Sequence, residues 1–355
     1  MKKIVLTSLA TSALIFANVS DKEIANMFIL GFYGTNATPN TKIYKDICYR
    51  GLGGVILFKR NPSGKGIKNF SSKASLKRLT NNLKSCGTKP IIAIDQEGGL
   101  VQRVKFKYKY PKASFTAKKG LAYASMVYSL MGEELSNLGI NLNFAPVADL
   151  ALNKNNKVIY KFGRSYGANP QKVIRYDKVF IDSMHKYGVK ATLKHFPGHG
   201  SSLGDTHKGF VDVTNRWKRV ELTPYKALKY SADAVMVAHI FNRKLDSNYP
   251  ASLSKKVVTN LLREQIGYQG VVVTDDMQMG AIKQHYSLKK QIELAINAGD
   301  DLLLFANQLS PRDNIQIEQL ISIVRSLLNE GKISEQSIKD ANYRIYNFKK
   351  GLRWK

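Results

Sequence analysis

A chain of 355 residues, 44% hydrophobic and 23% charged, is long enough for one large α/β domain or two smaller ones and apolar enough to bury a sizeable core. No internal run is as long as a membrane span, which excludes an internal transmembrane helix. Lys and Arg outnumber Asp and Glu by 55 to 26, a net charge of +29 that suits an anionic partner. The basic residues are scattered, however, and no nucleic-acid-binding signature occurs, so the expectation is a lysine-rich solvated surface and no nucleic-acid partner.

In chain order, Lys2 and Lys3 precede the apolar run Ile4 to Ala17, and polar Asn18 and Asp21-Lys22-Glu23 follow. A basic stretch and a short apolar stretch predict a signal peptide over residues 1–17, with residues 18–355 as one remaining domain. A buried first helix or an uncleaved anchor is the alternative. Eight short strands are predicted next: Met27–Phe32, Gly54–Phe58, Pro90–Ile94, Asn141–Ala145, Val189–Leu193, Ala234–Ala238, Gly270–Thr274 and Asp301–Phe305. Most are continuous apolar runs, the pattern of parallel strands buried on both faces. Between them lie stretches with helical spacing, such as 171–187, 254–265 and 287–298, the last stopped by Gly299. Ser310-Pro311 predicts a further helix start, and 335–352 an amphipathic basic helix closing the structure. Eight strands alternating with helices predict a single (β/α)8 barrel of the TIM type, with an open doubly wound sheet as the alternative. Cys48 and Cys86 have no metal-type spacing, and two buried free thiols are expected.

Chemistry-bearing residues follow the strands. Lys59-Arg60-Asn61 follow the second, Asp95-Gln96-Glu97-Gly98-Gly99 the third, Lys194-His195 the fifth, His239 the sixth and Asp275-Asp276 the seventh. Barrel active sites sit at this carboxyl-terminal face, so the placement argues for one convergent site. Of the two aspartates, Asp276 is the better candidate for a helix cap, which leaves Asp275 to face the pocket. Residues 194–207 hold three of the six histidines. Within them Asp205 and His207 stand two apart, close enough for the carboxylate to orient the imidazole for proton transfer. Loop solvation is the plain alternative. His195, His199, Asp205 and His207 also raise a metal site, but their spacing matches no ordinary zinc signature. Asp95 with Arg103, eight residues on, is suited to holding sugar hydroxyls or to a simple salt bridge. Arg164 is an isolated loop arginine.

Together the segments Asp-Gln-Glu-Gly-Gly at 95–99, Asn-Phe-Ala-Pro-Val-Ala-Asp at 143–149, Arg-Ser-Tyr-Gly at 164–167, Lys-His-Phe-Pro-Gly-His-Gly at 194–200 with Asp-Thr-His at 205–207, Pro-Ala-Ser-Leu-Ser at 250–254 and Thr-Asp-Asp-Met-Gln-Met at 274–279 resemble family-3 glycoside hydrolases of the β-N-acetylhexosaminidase branch. The resemblance runs from about residue 24 to about residue 310, and the long Lys-His…Asp-x-His motif is its most specific part. It implies a (β/α)8 barrel, a carbohydrate substrate containing N-acetylglucosamine, and no metal or organic cofactor. By position it implies that Asp275 is the nucleophile, His207 the general acid/base and Asp205 its partner. Asp95, Arg103, Arg164, Lys194 and His195 would contact the sugar. Leu100 departs from the family, which often has Arg there, and Met277-Gln278 replaces the common Leu-Ser.

The activity implied is that of a retaining exo-β-N-acetylglucosaminidase working through a covalent glycosyl-enzyme, with peptidoglycan fragments as substrate. A family-3 β-glucosidase is disfavoured by the histidine loop. A glycosyl phosphorylase remains open, because an imidazole in place of a carboxylate leaves the site less repellent to phosphate. A catalytically silent wall-binding protein would fit the charge but leave Asp95, Lys194, His207 and Asp275 unexplained. A functional leader would send the protein to the periplasm or outside, as a monomer with no stable membrane insertion. A non-functional one would leave it in the cytoplasm.

Overall fold

A computed structural model of the protein describes residues 19–310 and 314–352, so the expected leader over 1–17 lies outside the described residues. Each of the eight apolar runs forms a strand: β1 (Phe28–Gly31), β2 (Gly54–Ile56), β3 (Ile91–Ile94), β4 (Leu142–Asn143), β5 (Lys190–Phe196), β6 (Ala234–Val237), β7 (Val271–Thr274) and β8 (Leu303–Phe305). Neighbours in sequence pair in parallel, for example Leu30 with Val55 and Val272 with Val235. β8 pairs with β1 (Ile29 with Leu304) and bridges to β7 (Val273 with Leu302), which closes the ring. The architecture is therefore a (β/α)8 barrel and not an open sheet. Nearly every strand residue is buried, which is why these strands read as unbroken apolar runs.

The helices form where apolar spacing and caps coincide. In α1 (Pro170–Lys186) the Asn169 side chain accepts from the Lys172 N–H at 3.1 Å, Pro170 opens the first turn, and Val173, Tyr176, Phe180 and Met184 face the barrel. In α2 (Leu288–Ala298) Ser287 caps the start, and Gly299, at φ 101°, ends the helix in a conformation that disfavours side chains. The stretch expected as helix over 254–265 is a helix of the wide π type over Lys256–Gln265. The last helix, α3 (Glu335–Lys350), covers the start of β1 and β8. There Asn342 accepts from Asn26, and Arg344 reaches Asp301 at 2.7 Å.

Two expectations are corrected. The helix anticipated at Ser310-Pro311 begins at Ile317, because Asn314 to Gln316 are irregular and Gln316 takes the cap position. Cys48 and Cys86 are not buried free thiols. They are half-exposed and joined in a disulfide, because the helices Lys42–Cys48 and Lys73–Lys84 finish side by side with Cα atoms 5.8 Å apart.

Candidate active site

The carboxyl-terminal mouth of the barrel opens into a cleft of about 260 Å³. Asp95, Arg103, Arg164, Lys194, His195, Asp205, His207 and Asp275 all line it, although they come from five separate stretches of chain. His239 does not reach it. It is fully buried behind the cleft, 2.6 Å from Ser252 Oγ and 3.0 Å from the Asp276 carbonyl. Lys59 and Arg60 lie outside the cleft on its rim.

One wall comes from β3, β4 and β5. A one-residue irregularity in the pairing of β5 with β6, between Lys194 and Phe196, brings the consecutive side chains of Lys194 and His195 to the cleft. The Lys194–His195 peptide bond is cis, as are Ala145–Pro146 and Phe196–Pro197. Lys194 donates to Asp95 at 3.1 Å and lies 2.7 Å from Glu97. Glu97 in turn takes two hydrogen bonds from the Arg164 guanidinium, both 2.8 Å. Arg103 stands 3.6 Å from the other oxygen of Asp95. The chain reverses directly after Glu97 through Gly98, at φ 99°, where a side chain would collide with the Pro111 carbonyl.

Behind this wall, Asp149 is completely buried and accepts from His195 Nδ1 at 2.7 Å and from the His199 backbone at 2.7 Å. A carboxylate only accepts and a guanidinium only donates, so His195 Nδ1 donates to Asp149 and Nε2 accepts from Arg164 Nη2 at 3.3 Å. Burial would raise the Glu97 carboxyl, but Arg164 and Lys194 outweigh it and hold it far below the ordinary range. Burial would lower Lys194, yet Glu97 and Asp95 raise it, so it stays charged. Burial drives His199 down to about 4, which makes it a neutral structural residue bonded to Ser202.

The opposite side is built differently. Asp275 follows β7, and its Oδ1 accepts from the Asp276 N–H at 2.8 Å. Burial alone would raise its pKa. His239, His195 and His207, with that N–H, hold it down to about 2 instead. Asp276 is the reverse case, pushed up to about 6 by burial and by the charge of Asp275. It is not a helix cap, because the next helix starts only at Gly280. Asp276 Oδ1 instead accepts from the backbone of Gln278 and Ala306 and ties β7 to β8. Two adjacent carboxyls thus have separate tasks: one ionised in the cleft, the other locking the strand ends.

His207 rides on the loop after β5. Its Nδ1 lies 2.8 Å from Asp205 Oδ1, which orients the ring and leaves Nε2 for proton transfer, and its side chain is 56% exposed. Hydrogen bonds from Gly280 and Ala281 to the carbonyls of His207 and Thr206 dock this loop beside Asp275. Among the described residues no three His, Cys, Asp or Glu side chains are gathered as a metal site.

Glu97, which lines the cleft, and Asp149, which holds His195 from behind, are the residues that sequence reasoning passed over. Both stand inside quoted motifs, but their partners at 164, 194 and 195 are far away in sequence. For Glu97, an acidic residue near a strand end was the only signal available, and for Asp149 only its place in the quoted motif.

A family model described as the glycosyl hydrolase family 3 N terminal domain matches residues 19–348. The chain is 33% identical to "Beta-hexosaminidase A" of Pseudoalteromonas piscicida, over 85% of this chain and 54% of that protein. It is 32% identical to a "Beta-hexosaminidase" of Xanthomonas axonopodis pv. citri, over 82% of this chain and 87% of that protein. A solved family-3 β-N-acetylglucosaminidase from a Paenibacillus species superposes with a TM-score of 0.83 at 31% identity, over 94% of this chain and 63% of that one. A β-N-acetylhexosaminidase from Beutenbergia cavernae gives 0.82 at 27% identity, over 94% and 99%. The chain thus spans little more than half of some relatives and almost the whole of others.

Proposed function

The chain belongs to glycosyl hydrolase family 3, and on that premise we propose that it is a retaining exo-β-N-acetylglucosaminidase that releases terminal β-linked N-acetylglucosamine, with peptidoglycan fragments as the source of that sugar. The observation that carries the proposal is the convergence of eight residues, from five stretches of chain, on one cleft with an ionised Asp275 and an oriented His207.

In this reading the sugar ring lies against Asp95, Arg103, Arg164, Lys194 and His195, whose side chains are already fixed by one another. Asp275 attacks the anomeric carbon while His207 gives a proton to the departing oxygen. The acetal becomes an ester of Asp275. His207 then takes a proton from water, the water attacks the same carbon, and the β-sugar and free Asp275 are released. Asp205, held below its ordinary range by the His207 hydrogen bonds against the opposing effect of burial, remains an anion throughout and stabilises the imidazolium. No step calls for a metal or organic cofactor.

The proposal also takes residues 1–17 as a cleaved leader and 18–355 as one catalytic domain acting as a monomer in the periplasm or outside the cell. The basic n-region and apolar run of the leader support it. Fractionation with intact-mass analysis of the mature protein tests this part. A full-length chain in the cytoplasm overturns it.

The deciding experiment is release of 4-nitrophenol from the β-N-acetylglucosaminide and the β-glucoside, with and without added phosphate. Cleavage of the first alone, unaffected by phosphate, is expected. Preference for the glucoside, acceleration by phosphate, or no cleavage at all would overturn the activity proposed here.

A further inference from the structure

A second groove, about 400 Å³, opens on the rim beside the cleft and shares Phe58, Arg103 and Gln308 with it. Its charged lining is entirely basic: Lys59, Arg60, Arg103 and Lys105, with no Asp or Glu. Among the described residues, Lys59, Arg60 and Lys105 form no ion pair with an acidic side chain. The walls are built rather than loose. Gln308 donates to the Arg60 carbonyl at 3.1 Å and accepts from the buried Lys68 ammonium at 2.9 Å. Arg103 rests on the Phe58 ring, 5.4 Å from its centroid, and its Nε is a buried donor without a partner. Beyond Lys105, Lys107 and Lys109 are also exposed, while the alternating Phe106, Tyr108 and Tyr110 turn inward. A few of the cations that look scattered in sequence are gathered on this rim.

Position decides what the groove can meet. It is made mainly by the loops after β2 and β3, and β3 lies four strands from β7 in an eight-strand ring, diametrically opposite Asp275. On the proposed function, on which this inference rests, the anomeric carbon faces Asp275. The far side of the ring, C4 with O4 and C5 with the exocyclic C6 arm, then faces Asp95 and Arg103, and O6 reaches farthest from the ring. A neutral hydroxymethyl group gains little from three cations without counter-charges and an arginine shared with Asp95. An oxyanion gains charge-assisted hydrogen bonds and a favourable local field.

We propose that this groove is a subsite for an anionic ester, a sulfate or phosphate, carried on O6 of the N-acetylglucosamine whose linkage is cleaved. The hydrolytic step is unchanged, and the ester is bound, not broken. The groove thereby widens the range of sugars accepted by the same catalytic pair.

The test compares 4-nitrophenyl β-N-acetylglucosaminide with its 6-O-sulfate and 6-O-phosphate in wild type and in the triple variant Lys59→Gln/Arg60→Gln/Lys105→Gln. At low ionic strength the wild type should cleave at least one anionic substrate with a kcat/KM no lower than the neutral one, and that advantage should fade as salt is added. The triple variant should lose about tenfold on the anionic substrate and less than about twofold on the neutral one. The better of the two esters identifies which oxyanion the groove takes. Wild type that cleaves both esters more than tenfold slower than the neutral glycoside, or a variant that weakens all three substrates equally, overturns the subsite and leaves the glycosidase intact. If no substrate is cleaved, the glycosidase reading has failed and the subsite falls with it.

Discussion

The two sides of the cleft hold their charges by opposite means. On the β3–β5 side, Glu97, Arg164, Lys194, His195 and Asp149 form a buried hydrogen-bonded chain in which Arg164 and Lys194 pair with Glu97 and His195 Nδ1 donates to Asp149. On the β7 side, Asp275 stands as a lone anion among imidazoles, and the His207–Asp205 pair rides on a half-open loop docked by a few backbone bonds. On the proposed mechanism, recognition is prepared during folding, where misplacement is costly, and proton delivery sits on a loop at the barrel mouth. Damage on the first side should appear in stability and KM, and damage on the second first of all in turnover.

Predictions that would break this contrast run from large effects to small. Asp275→Asn should lower turnover of 4-nitrophenyl β-N-acetylglucosaminide by about 10⁴-fold or more. Residual activity near wild type would remove Asp275 from the mechanism. His207→Ala should cost roughly 10²- to 10⁴-fold on a saccharide leaving group, and visibly less on nitrophenol, which needs little protonation. Equal losses on both leaving groups would show that His207 is not the acid. Glu97→Gln leaves Lys194 and Arg164 short of a buried counter-charge and should destabilise the fold by about 3–5 kcal/mol in urea unfolding, with a raised KM. An unchanged unfolding midpoint would mean that the wall is not held by charge.

The smallest effect tests the carboxyl pair by pH. The Asp276 carboxyl sits at about 6 in the folded chain, above its ordinary unfolded value of 3.8. Its stabilising contribution is therefore complete below pH 3.8 and is lost as pH rises through 6. Asp276→Asn, which keeps an acceptor oxygen for the Gln278 and Ala306 N–H groups, should gain stability relative to wild type between pH 4 and pH 7, by about 1–3 kcal/mol. A difference in melting temperature that stays flat with pH would place the Asp276 proton elsewhere.

The barrel was legible in the sequence because its strands are buried on both faces, and burial on both faces leaves an uninterrupted apolar run. The cleft residues were legible because each follows such a run or stands in a motif of the family. What stayed hidden depends on contacts between distant positions. Glu97 has no meaning without Arg164, Asp149 none without His195, and Cys48 none without Cys86. Asp276 was misread as a cap because local sequence cannot show that the next helix waits until Gly280. The groove beside Arg103 was invisible for a similar reason: its cations lie on two loops some forty residues apart in sequence, at 59–60 and 103–105.

The Cys48–Cys86 bond makes each molecule a record of its own history. Reducing compartments keep such thiols open, and oxidising ones close them. Under the proposed export, molecules purified from the periplasm should resist alkylation when denatured, whereas any retained behind the membrane should take up label at both positions. The ratio of the two populations by intact mass would measure, chain by chain, how completely the leader performs its task.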